Sequence, residues 1–252
     1  MSQDRRAGQA RLAPHPVLSA YFRDERERRT VVDHLFDVSA AHYDAVISAM
    51  SLGSGRWYRR QALQRAGLGP GMDVLDLATG TGIVAQAAAS LAGVPHVTGI
   101  DPSAGMLEQA QRVAPLRYVR GYAEALPFRE GSFDFLSMGY ALRHVGDLRT
   151  TFAEAHRVLR PGGRLLVLEI SRARSRAGLA ATRMYLGTMV PALTGALTRN
   201  AEARRLFRYY WDTIEHCVAP ETILAAMREA GFARAERKVV LGIFSEYLAH
   251  RS

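Results

Sequence analysis

The stretch Val74-Leu75-Asp76-Leu77-Ala78-Thr79-Gly80-Thr81-Gly82 decides the fold of this chain of 252 residues. An apolar run that ends in an acid, followed by a turn with two glycines, is typical of a buried strand, a tight loop and a helix start. Glycines in such a loop allow a bulky cofactor to approach the backbone, because no Cβ stands in the way. Asp101 ends a second apolar run and is placed to bind the two hydroxyls of a ribose. This pattern predicts a site for an adenosine-type cofactor.

Strand and helix patterns alternate around this stretch, which predicts an α/β fold with a mostly parallel sheet and helices on both faces. Two extended segments near the end of the chain predict an antiparallel pair at one side of the sheet, which gives seven strands in all. The predicted strands are Asp73–Leu77, His96–Ile100, Arg117–Arg120, Phe133–Met138, Arg164–Ile170, Phe232–Val240 and Leu241–His250. The predicted helices among them are Ile83–Ala92, Ala104–Val113, Leu148–Leu159 and Pro220–Ala230.

The organisation predicted from these patterns has five segments. Residues 1–15 are expected to be disordered, because they are polar and Pro14 and Pro16 close them off. The others are an N-terminal helical region (16–70), a cofactor-binding core (71–171), a helical lid insertion (172–217) and a C-terminal completion of the core (218–252). The lid is expected to lie over the carboxyl edge of the sheet.

Composition restricts the class of protein. The net charge is +9, yet Lys238 is the only lysine, and so strong a preference for arginine more often reflects genomic base composition than nucleic-acid binding. No uninterrupted apolar run reaches the roughly 18 residues of a membrane span, and the polar N-terminus lacks the apolar core of a signal peptide. The lone Cys217 suits a reducing compartment. We therefore expect a cytoplasmic enzyme without nucleic-acid partner or metal site; the oligomeric state stays open.

The glycine loop by itself leaves the cofactor open. Gly80 to Ala85 fits the G-x-G-x-x-G/A pattern of dinucleotide-binding proteins, so a nicotinamide enzyme is one interpretation. Asp76 favours another, because its carboxylate would repel a pyrophosphate and attract the cationic amino group of S-adenosylmethionine. The segment from Gly121 to Phe128 follows the third strand and suits the flank of an adenine.

Three segments carry a family resemblance. Arg157–Ser171 resembles the C-terminal signature of the C-methyltransferases of ubiquinone and menaquinone biosynthesis, with Arg160 where lysine is usual. Tyr43-Asp44 and Ser51-Leu52-Gly53 are similar to the N-terminal signature of that family. Ala141–Val145 is similar to a Gly-Leu-Arg-Asn-Val stretch, with His144 in place of asparagine. The chain thus resembles a Rossmann-like class I S-adenosylmethionine-dependent methyltransferase over roughly residues 30–250.

The motif and the resemblance together imply a set of cofactor-binding residues. Thr81 is placed near the methionine moiety, Met106 packs on the adenine, and Tyr122 and Ala123 flank it. Glu124 either binds the cofactor or caps the turn after it, and Met106 could equally be an ordinary core residue. The full set is Asp76, Gly80, Thr81, Gly82, Asp101, Met106, Tyr122, Ala123, Glu124, Met138 and Gly139.

The candidate catalytic residues are His144 and Arg143, which follow the fourth strand. A histidine there has a suitable pKa to act as a base that favours the phenolate of a hydroxylated ring, and carbon methylation profits from that. Arg143 could stabilise an oxyanion. The alternatives are a hydrogen-bonded loop histidine and a surface salt bridge. Candidate substrate-binding residues are Tyr43, Arg183, Tyr185, Tyr209 and His216, which is also a weaker candidate base.

The predicted function is transfer of a methyl group to a small, apolar aromatic acceptor, on carbon of a hydroxylated or quinol-like ring. The apolar residues of the lid and its arginines suggest an acceptor presented at a membrane surface, hence a peripheral membrane contact. An O- or N-methyltransferase of a specialised metabolite or lipid headgroup is the nearest alternative. An NAD(P)-dependent oxidoreductase, a nucleic-acid modifier and a binding protein that transfers no methyl group are more distant ones.

Overall fold

The computed structural model describes residues 11–51 and 54–252. Its strands form one sheet in the order β3-β2-β1-β4-β5-β7-β6. The strands are β1 Val74–Leu77, β2 Val97–Asp101, β3 Arg117–Arg120, β4 Phe133–Gly139, β5 Leu159–Ile170, β6 Arg234–Val240 and β7 Phe244–His250. Only β7 runs antiparallel to its neighbours, between β5 and β6. The predicted seven-stranded, mostly parallel sheet is confirmed.

The strand order reverses at β1, and this places the site. Within β1, Asp76 pairs with Gly99 of β2 on one side and with Ser137 of β4 on the other, both in parallel register. The chain therefore leaves β1 and β4 in opposite directions across the sheet, which opens a crevice at their carboxyl ends. The glycine loop and the residues after β4 flank that crevice.

Helices cover both faces of the sheet. They are α1 Glu25–Ser51, α2 Ser54–Arg65, α3 Ile83–Ala92, α4 Ala104–Val113, α5 Leu148–Val158, α6 Arg176–Thr182, α7 Val190–Thr198, α8 Ala201–His216 and α9 Pro220–Glu229. A π-helical stretch, Arg183–Met189, joins α6 to α7. On one face Phe152 of α5 and Met227 of α9 pack on the sheet, and on the other Leu63 of α2 and Ala88 of α3 do so. Within the described ranges no helix is long and apolar enough to cross a membrane.

Helix α1 is attached to the core by three carboxylates on one side of the helix. Asp33 accepts the Tyr122 hydroxyl at 2.6 Å, and Asp37 accepts the Ser103 hydroxyl at 2.5 Å and the Gly105 N–H at 3.0 Å. Asp44 accepts the Thr81 hydroxyl at 2.5 Å. These bonds reach the loops after β1, β2 and β3, so α1 closes the crevice from above.

The segment before α1 corrects one expectation. Residues 11–15 are predicted to be disordered, yet the Leu12 N–H donates to Asp147 Oδ1 at 3.0 Å and the Leu12 carbonyl accepts the Leu148 N–H at 2.9 Å. His15 is 1% exposed. A polar, proline-containing sequence excludes regular secondary structure, but its hydrogen-bond partners lie about 130 residues away and leave no local pattern. Residues 1–10 of that prediction lie outside the described part, as do Leu52 and Gly53 of the N-terminal signature.

Strand β5 also differs from its prediction, because it begins at Leu159 instead of Arg164. Leu159 pairs with Phe133, and the register shifts before Arg164 pairs with Phe135. Gly162 has a φ of 81°, a conformation that suits glycine and lets the strand bend there without ending. A Pro-Gly-Gly sequence predicts a turn, but here it is an irregularity within one strand.

Candidate active site

The two glycines of the loop after β1 have different structural roles. Gly80 has a φ of 56°, and a Cβ added to it would meet nothing within 4 Å, because the residue lines a cavity. Gly82 has a φ of 82°, and its Cβ would lie 3.0 Å from the Tyr118 hydroxyl and 3.3 Å from the Ala110 Cβ. Gly80 therefore leaves room for a ligand, whereas Gly82 lets the start of α3 pack closely against its neighbours.

Asp76 lies beneath the loop and does not line the cavity. Its carboxylate is 1% exposed and accepts hydroxyls of Thr79 and Ser137, each at 2.6 Å. Burial raises the pKa of Asp76 to about 6. In this position the carboxylate holds the glycine loop against β4.

Asp101 at the end of β2 does line the cavity. Its carboxylate accepts the Gly80 N–H at 2.8 Å and the Ser103 N–H at 2.9 Å. Burial raises the pKa of Asp101 to about 7. The acid thus joins the β2 loop to the glycine loop and presents an acceptor to the cavity between them.

The predicted adenine side lies beside this acid. Met106 is 1% exposed and lines the cavity together with Tyr122 and Ala123. The guanidinium of Arg29 lies over the Tyr122 ring, 4.1 Å from its centroid. Glu124 lines the cavity and accepts the N–H of Gly146, 22 residues further along, at 2.5 Å.

At the end of β4, Gly139 lines the cavity, whereas Met138 is 1% exposed and lies in the core. A Cβ at Gly139 would approach the Val84 Cγ2 of α3 to 2.5 Å. Gly139 is therefore required for the close contact between β4 and α3.

The far part of the cavity is aromatic. We call Phe36, Tyr43, His144 and Tyr210 the aromatic chamber; all four line the cavity. The His144 ring lies 5.1 Å from Phe36 and 6.2 Å from Tyr210, centroid to centroid, and Phe36 lies 6.3 Å from Tyr43. The chamber opens onto the glycine loop within one cavity.

His144 is half-buried in this chamber, but both of its ring nitrogens are buried, and within the described ranges neither has a hydrogen-bond partner. Burial lowers its pKa well below the usual value, and the positive charges of Arg143 and Arg28 lower it further. The ring is therefore neutral at physiological pH, and neither nitrogen is engaged by another described residue.

Comparison with known proteins now decides the family. The chain matches the model of the ubiE/COQ5 methyltransferase family over residues 23–250. The protein belongs to this family. It is 33% identical over 218 residues to the ubiquinone/menaquinone biosynthesis C-methyltransferase UbiE of Shewanella woodyi, a match that covers 83% of this chain and 86% of that protein. It is 32% identical over 222 residues to the demethylmenaquinone methyltransferase of Thermus thermophilus, covering 86% and 100%.

Solved structures agree with the fold. A possible histamine N-methyltransferase from Thermotoga maritima has a TM-score of 0.62 at 20% identity, covering 87% of this chain and 99% of that one. Phosphoethanolamine N-methyltransferase 2 of Haemonchus contortus, in complex with S-adenosylmethionine, has a TM-score of 0.56 at 19% identity, covering 77% and 52%. The predicted enzyme class, a methyltransferase, and the predicted cofactor, S-adenosylmethionine, are confirmed.

Within this methyltransferase, Arg143 does not face the cavity. It is fully buried, and its Nε donates to Glu169 at 2.7 Å. Nη1 donates to the Tyr210 carbonyl at 3.2 Å and to the Thr213 hydroxyl at 3.0 Å, and Nη2 to the Tyr140 carbonyl at 3.3 Å. The guanidinium therefore connects β5, the loop after β4 and helix α8. Its contacts are those of a residue that positions its neighbour His144.

The predicted substrate-binding residues separate into two groups. Tyr43 lines the aromatic chamber, and the fully buried Tyr209 packs behind His144 at 5.5 Å between ring centroids. Arg183, Tyr185 and His216 are exposed on the outer side of the lid and do not line the cavity. Arg183 pairs with Glu215, and His216 Nδ1 bonds the Asp212 carbonyl at 2.8 Å.

Two buried arginines of the cavity wall are absent from the sequence-based set. Arg28 of α1 is 2% exposed and Arg59 of α2 is 8% exposed, and in each the Nε has no hydrogen-bond partner among the residues described. Arg28 precedes Val32 by four residues and Leu35 by seven, so helical periodicity places it on the buried face. This spacing was the available signal for Arg28.

Proposed function

We propose that this enzyme transfers a methyl group to a ring carbon of a quinol-like acceptor held in the aromatic chamber. The observation that carries the proposal is a chamber of four aromatic rings that opens onto the glycine loop. Aromatic walls suit a flat, apolar ring, and two nitrogens of His144 remain for its oxygen substituents. The relatives named as quinone methyltransferases cover most of the chain, which supports the same acceptor class.

The residues present fit S-adenosylmethionine. Asp101 offers a carboxylate for ribose hydroxyls, Met106 and Ala123 offer apolar contacts for the adenine, and Gly80 leaves space beside the backbone. Arg59 is suited to the methionine carboxylate, because its Nε is unpaired within the described chain and its charge acts on Asp76 beneath the glycine loop. When bound, S-adenosylmethionine supplies an electrophilic methyl group on a sulfonium sulfur.

From its place after β4, the sequence makes His144 a candidate base. Its surroundings disfavour the imidazolium form, so we propose that the neutral ring binds an oxygen of the acceptor and orients the reacting carbon. On transfer, the ring carbon of the acceptor forms a bond to the methyl carbon while the bond from that carbon to the sulfonium sulfur breaks. The hydrogen on the ring carbon then leaves as a proton to water.

Transfer of labelled methyl groups tests the proposal. The purified enzyme is incubated with methyl-labelled S-adenosylmethionine and anaerobically reduced 1,4-naphthoquinone, and the product is analysed by NMR and mass spectrometry. We expect the label on ring carbon 2. A methoxy product would support the O-methyltransferase instead, and label in added tRNA or DNA without a small-molecule product would contradict the acceptor class.

We also propose a peripheral membrane contact through the lid, on the cytoplasmic side. Met184, Met189 and Leu193 are 60%, 52% and 51% exposed and follow one another at helical spacing. Exposed arginines, Arg172, Arg174 and Arg176, precede them in the chain. Apolar side chains beside cations suit a surface of anionic lipid, from which a hydrophobic quinol could enter.

A further inference from the structure

Arg28 is buried at the edge of the aromatic chamber, and its Nε is left without a hydrogen-bond partner among the residues described. Its Nη1 donates to Glu25 Oε2 at 3.2 Å, and its Nη2 donates to the Arg143 carbonyl at 3.1 Å and meets His15 Nε2 at 3.2 Å. His15 Nδ1 lies 2.7 Å from the Pro16 carbonyl and therefore carries the ring proton, which leaves Nε2 as an acceptor. These contacts hold both Nη atoms, while neither the Nε–H nor the hydroxyl of Tyr209, on which the Arg28 side chain acts, has a hydrogen-bond partner within the described chain.

This guanidinium lies beside His144. It binds the carbonyl of the preceding residue, Arg143, and its charge acts on the His144 ring. Both side chains line the same cavity. Buried donors without a partner are costly, because their desolvation is not compensated. A ligand atom that accepts from both groups would remove this cost.

The charged groups around the two donors are two ion pairs and the carboxylate of Glu124. Arg143 is paired with Glu169 at 2.7 Å, and Glu25, the carboxylate paired with Arg28, is partly exposed. His15 is neutral, because burial and Arg28 lower its pKa to about 4. Tyr209 and Tyr210 are neutral, since burial raises the pKa of each hydroxyl. Glu124, at the cavity wall, is engaged by the Gly146 N–H.

We propose that the acceptor binds as its ring oxyanion, with the oxygen held between the Nε–H of Arg28 and an N–H of the His144 ring. The inference rests on the proposed function, since it requires a hydroxylated aromatic acceptor. The hydroxyl proton leaves to bulk water on binding, so no side chain has to retain it. The negative charge then raises the electron density at the ring carbon to be methylated.

The roles of both residues differ from that of a general base. A base must exchange a proton, which asparagine cannot do, whereas an oxyanion needs only a donor, which the asparagine amide supplies. Arg28 must contribute a positive charge, which lysine partly replaces and methionine removes. Substitutions at the two positions therefore separate the two mechanisms.

The test uses 4-nitro-1-naphthol, whose neutral and ionised forms absorb differently. The dye is titrated with pH in the presence of wild-type protein and S-adenosylhomocysteine, and the absorption spectrum reports its ionisation without turnover. We expect the bound dye to ionise at lower pH than the free dye, which corresponds to at least about a tenfold preference for the anion. Arg28→Met should abolish the preference, Arg28→Lys should retain part of it, and His144→Asn should retain it.

Arg112→Met is the matched control, because Arg112 is exposed on α4 and pairs only with Glu108 among the ion pairs described. If Arg28→Met fails to fold, a comparison of two ligands on the wild-type protein tests the inference. The protein should bind the ionised dye about tenfold more tightly than 4-nitro-1-methoxynaphthalene, which cannot ionise. The inference is overturned if the bound dye ionises at the same pH as the free dye, or if the protein binds the dye and its methyl ether with equal affinity. If reduced naphthoquinone is still methylated in that case, the proposed function stands. Absence of binding together with absence of turnover overturns the proposed function as well.

Discussion

Asp101 accepts the backbone N–H of Gly80 at 2.8 Å, and this bond joins the ends of β2 and β1 beside the cavity. The acid predicted to bind ribose thus already positions the loop predicted to approach the cofactor. Its second oxygen accepts the Ser103 N–H, so the carboxylate is held in a fixed orientation. The arrangement is preorganised for a diol, because the ligand need not reorient the acid.

The first prediction concerns pH and cofactor affinity. Ribose hydroxyls donate to an ionised carboxylate, whereas burial raises the pKa of the free Asp101 to about 7. Affinity for S-adenosylmethionine should therefore fall as the pH drops from about 8 to 6, by up to tenfold per pH unit. Calorimetric titration across this range measures it. Asp101→Asn should bind S-adenosylmethionine weakly, with an affinity that no longer changes with pH. If the affinity of this variant falls with pH as steeply as that of the wild type, Asp101 is not the titrating group and Asp76 takes its place.

The same acid should affect stability with the opposite sign. Its pKa is raised in the folded protein, so between the unfolded value of 3.8 and about 7 the folded state binds a proton that the unfolded state lacks. The ligand-free protein should therefore gain stability as the pH falls from 8 towards 6, relative to Asp101→Asn, by about 1 kcal/mol. Urea unfolding of the two proteins at both pH values tests this, and equal changes would count against a buried, protonated Asp101.

The contact between Gly139 and Val84 predicts a compensating pair. Gly139→Ala should destabilise the protein by about 1–3 kcal/mol, because the new Cβ would lie 2.5 Å from Val84 Cγ2. Val84→Ala removes that atom and should restore part of the loss in the double variant. Gly69→Ala is the control, since its Cβ would meet nothing within 4 Å. Thermal unfolding measures the stability of the single and double variants. If the losses of the two single variants simply add in the double variant, the Cβ introduced at position 139 does not clash with Val84.

The buried pair Arg143–Glu169 predicts a loss of stability, with activity lost as a consequence. Arg143→Met should cost about 3–5 kcal/mol, because it leaves the carboxylate of Glu169, itself 3% exposed, without its cation. Adding Glu169→Leu should recover a large part of that cost. Denaturant unfolding of the single and double variants measures both effects. A stable Arg143→Met protein that binds cofactor normally but has lost all turnover would favour the catalytic role predicted from sequence.

Arg59 and its neighbour Arg60 offer a matched comparison. Arg59 is buried at the cavity, whereas Arg60 is exposed and bonds Gln64 at 3.3 Å. Arg59→Met should weaken binding of S-adenosylmethionine about tenfold or more, because a charge-assisted bond to the carboxylate is lost. Arg60→Met should leave it unchanged. Equal dissociation constants for the two variants would remove Arg59 from the cofactor site.

The lid predicts lipid dependence. The protein should sediment with vesicles containing anionic lipid and less with neutral ones, and Met189→Glu should weaken this association severalfold. Leu241→Glu is the control, because Leu241 is 84% exposed in the turn between β6 and β7. Equal loss of vesicle binding in both variants, or none in either, would argue against contact through the lid.

The alternating strands and helices, the glycine loop and Asp101 could be predicted because each depends on local backbone geometry and on short-range periodicity. Boundaries of β3, α3 and α4 coincide with their predictions for this reason. The order of the strands places the predicted residues Gly80, Asp101 and Gly139 at one cavity. The C-terminal signature likewise indicated the family from contiguous residues.

Which residues surround the acceptor side of the cavity was determined by tertiary structure alone. Arg28 bonds the carbonyl of Arg143, 115 residues away, and His15 supports it from a segment without regular secondary structure. Packing also turned Arg143 away from the cavity and left Tyr185 and His216 exposed to solvent, since a helical pattern does not specify which neighbour each face meets. The sequence by itself thus determined the fold and the methyl donor, whereas long-range burial of polar groups determined the surroundings of His144.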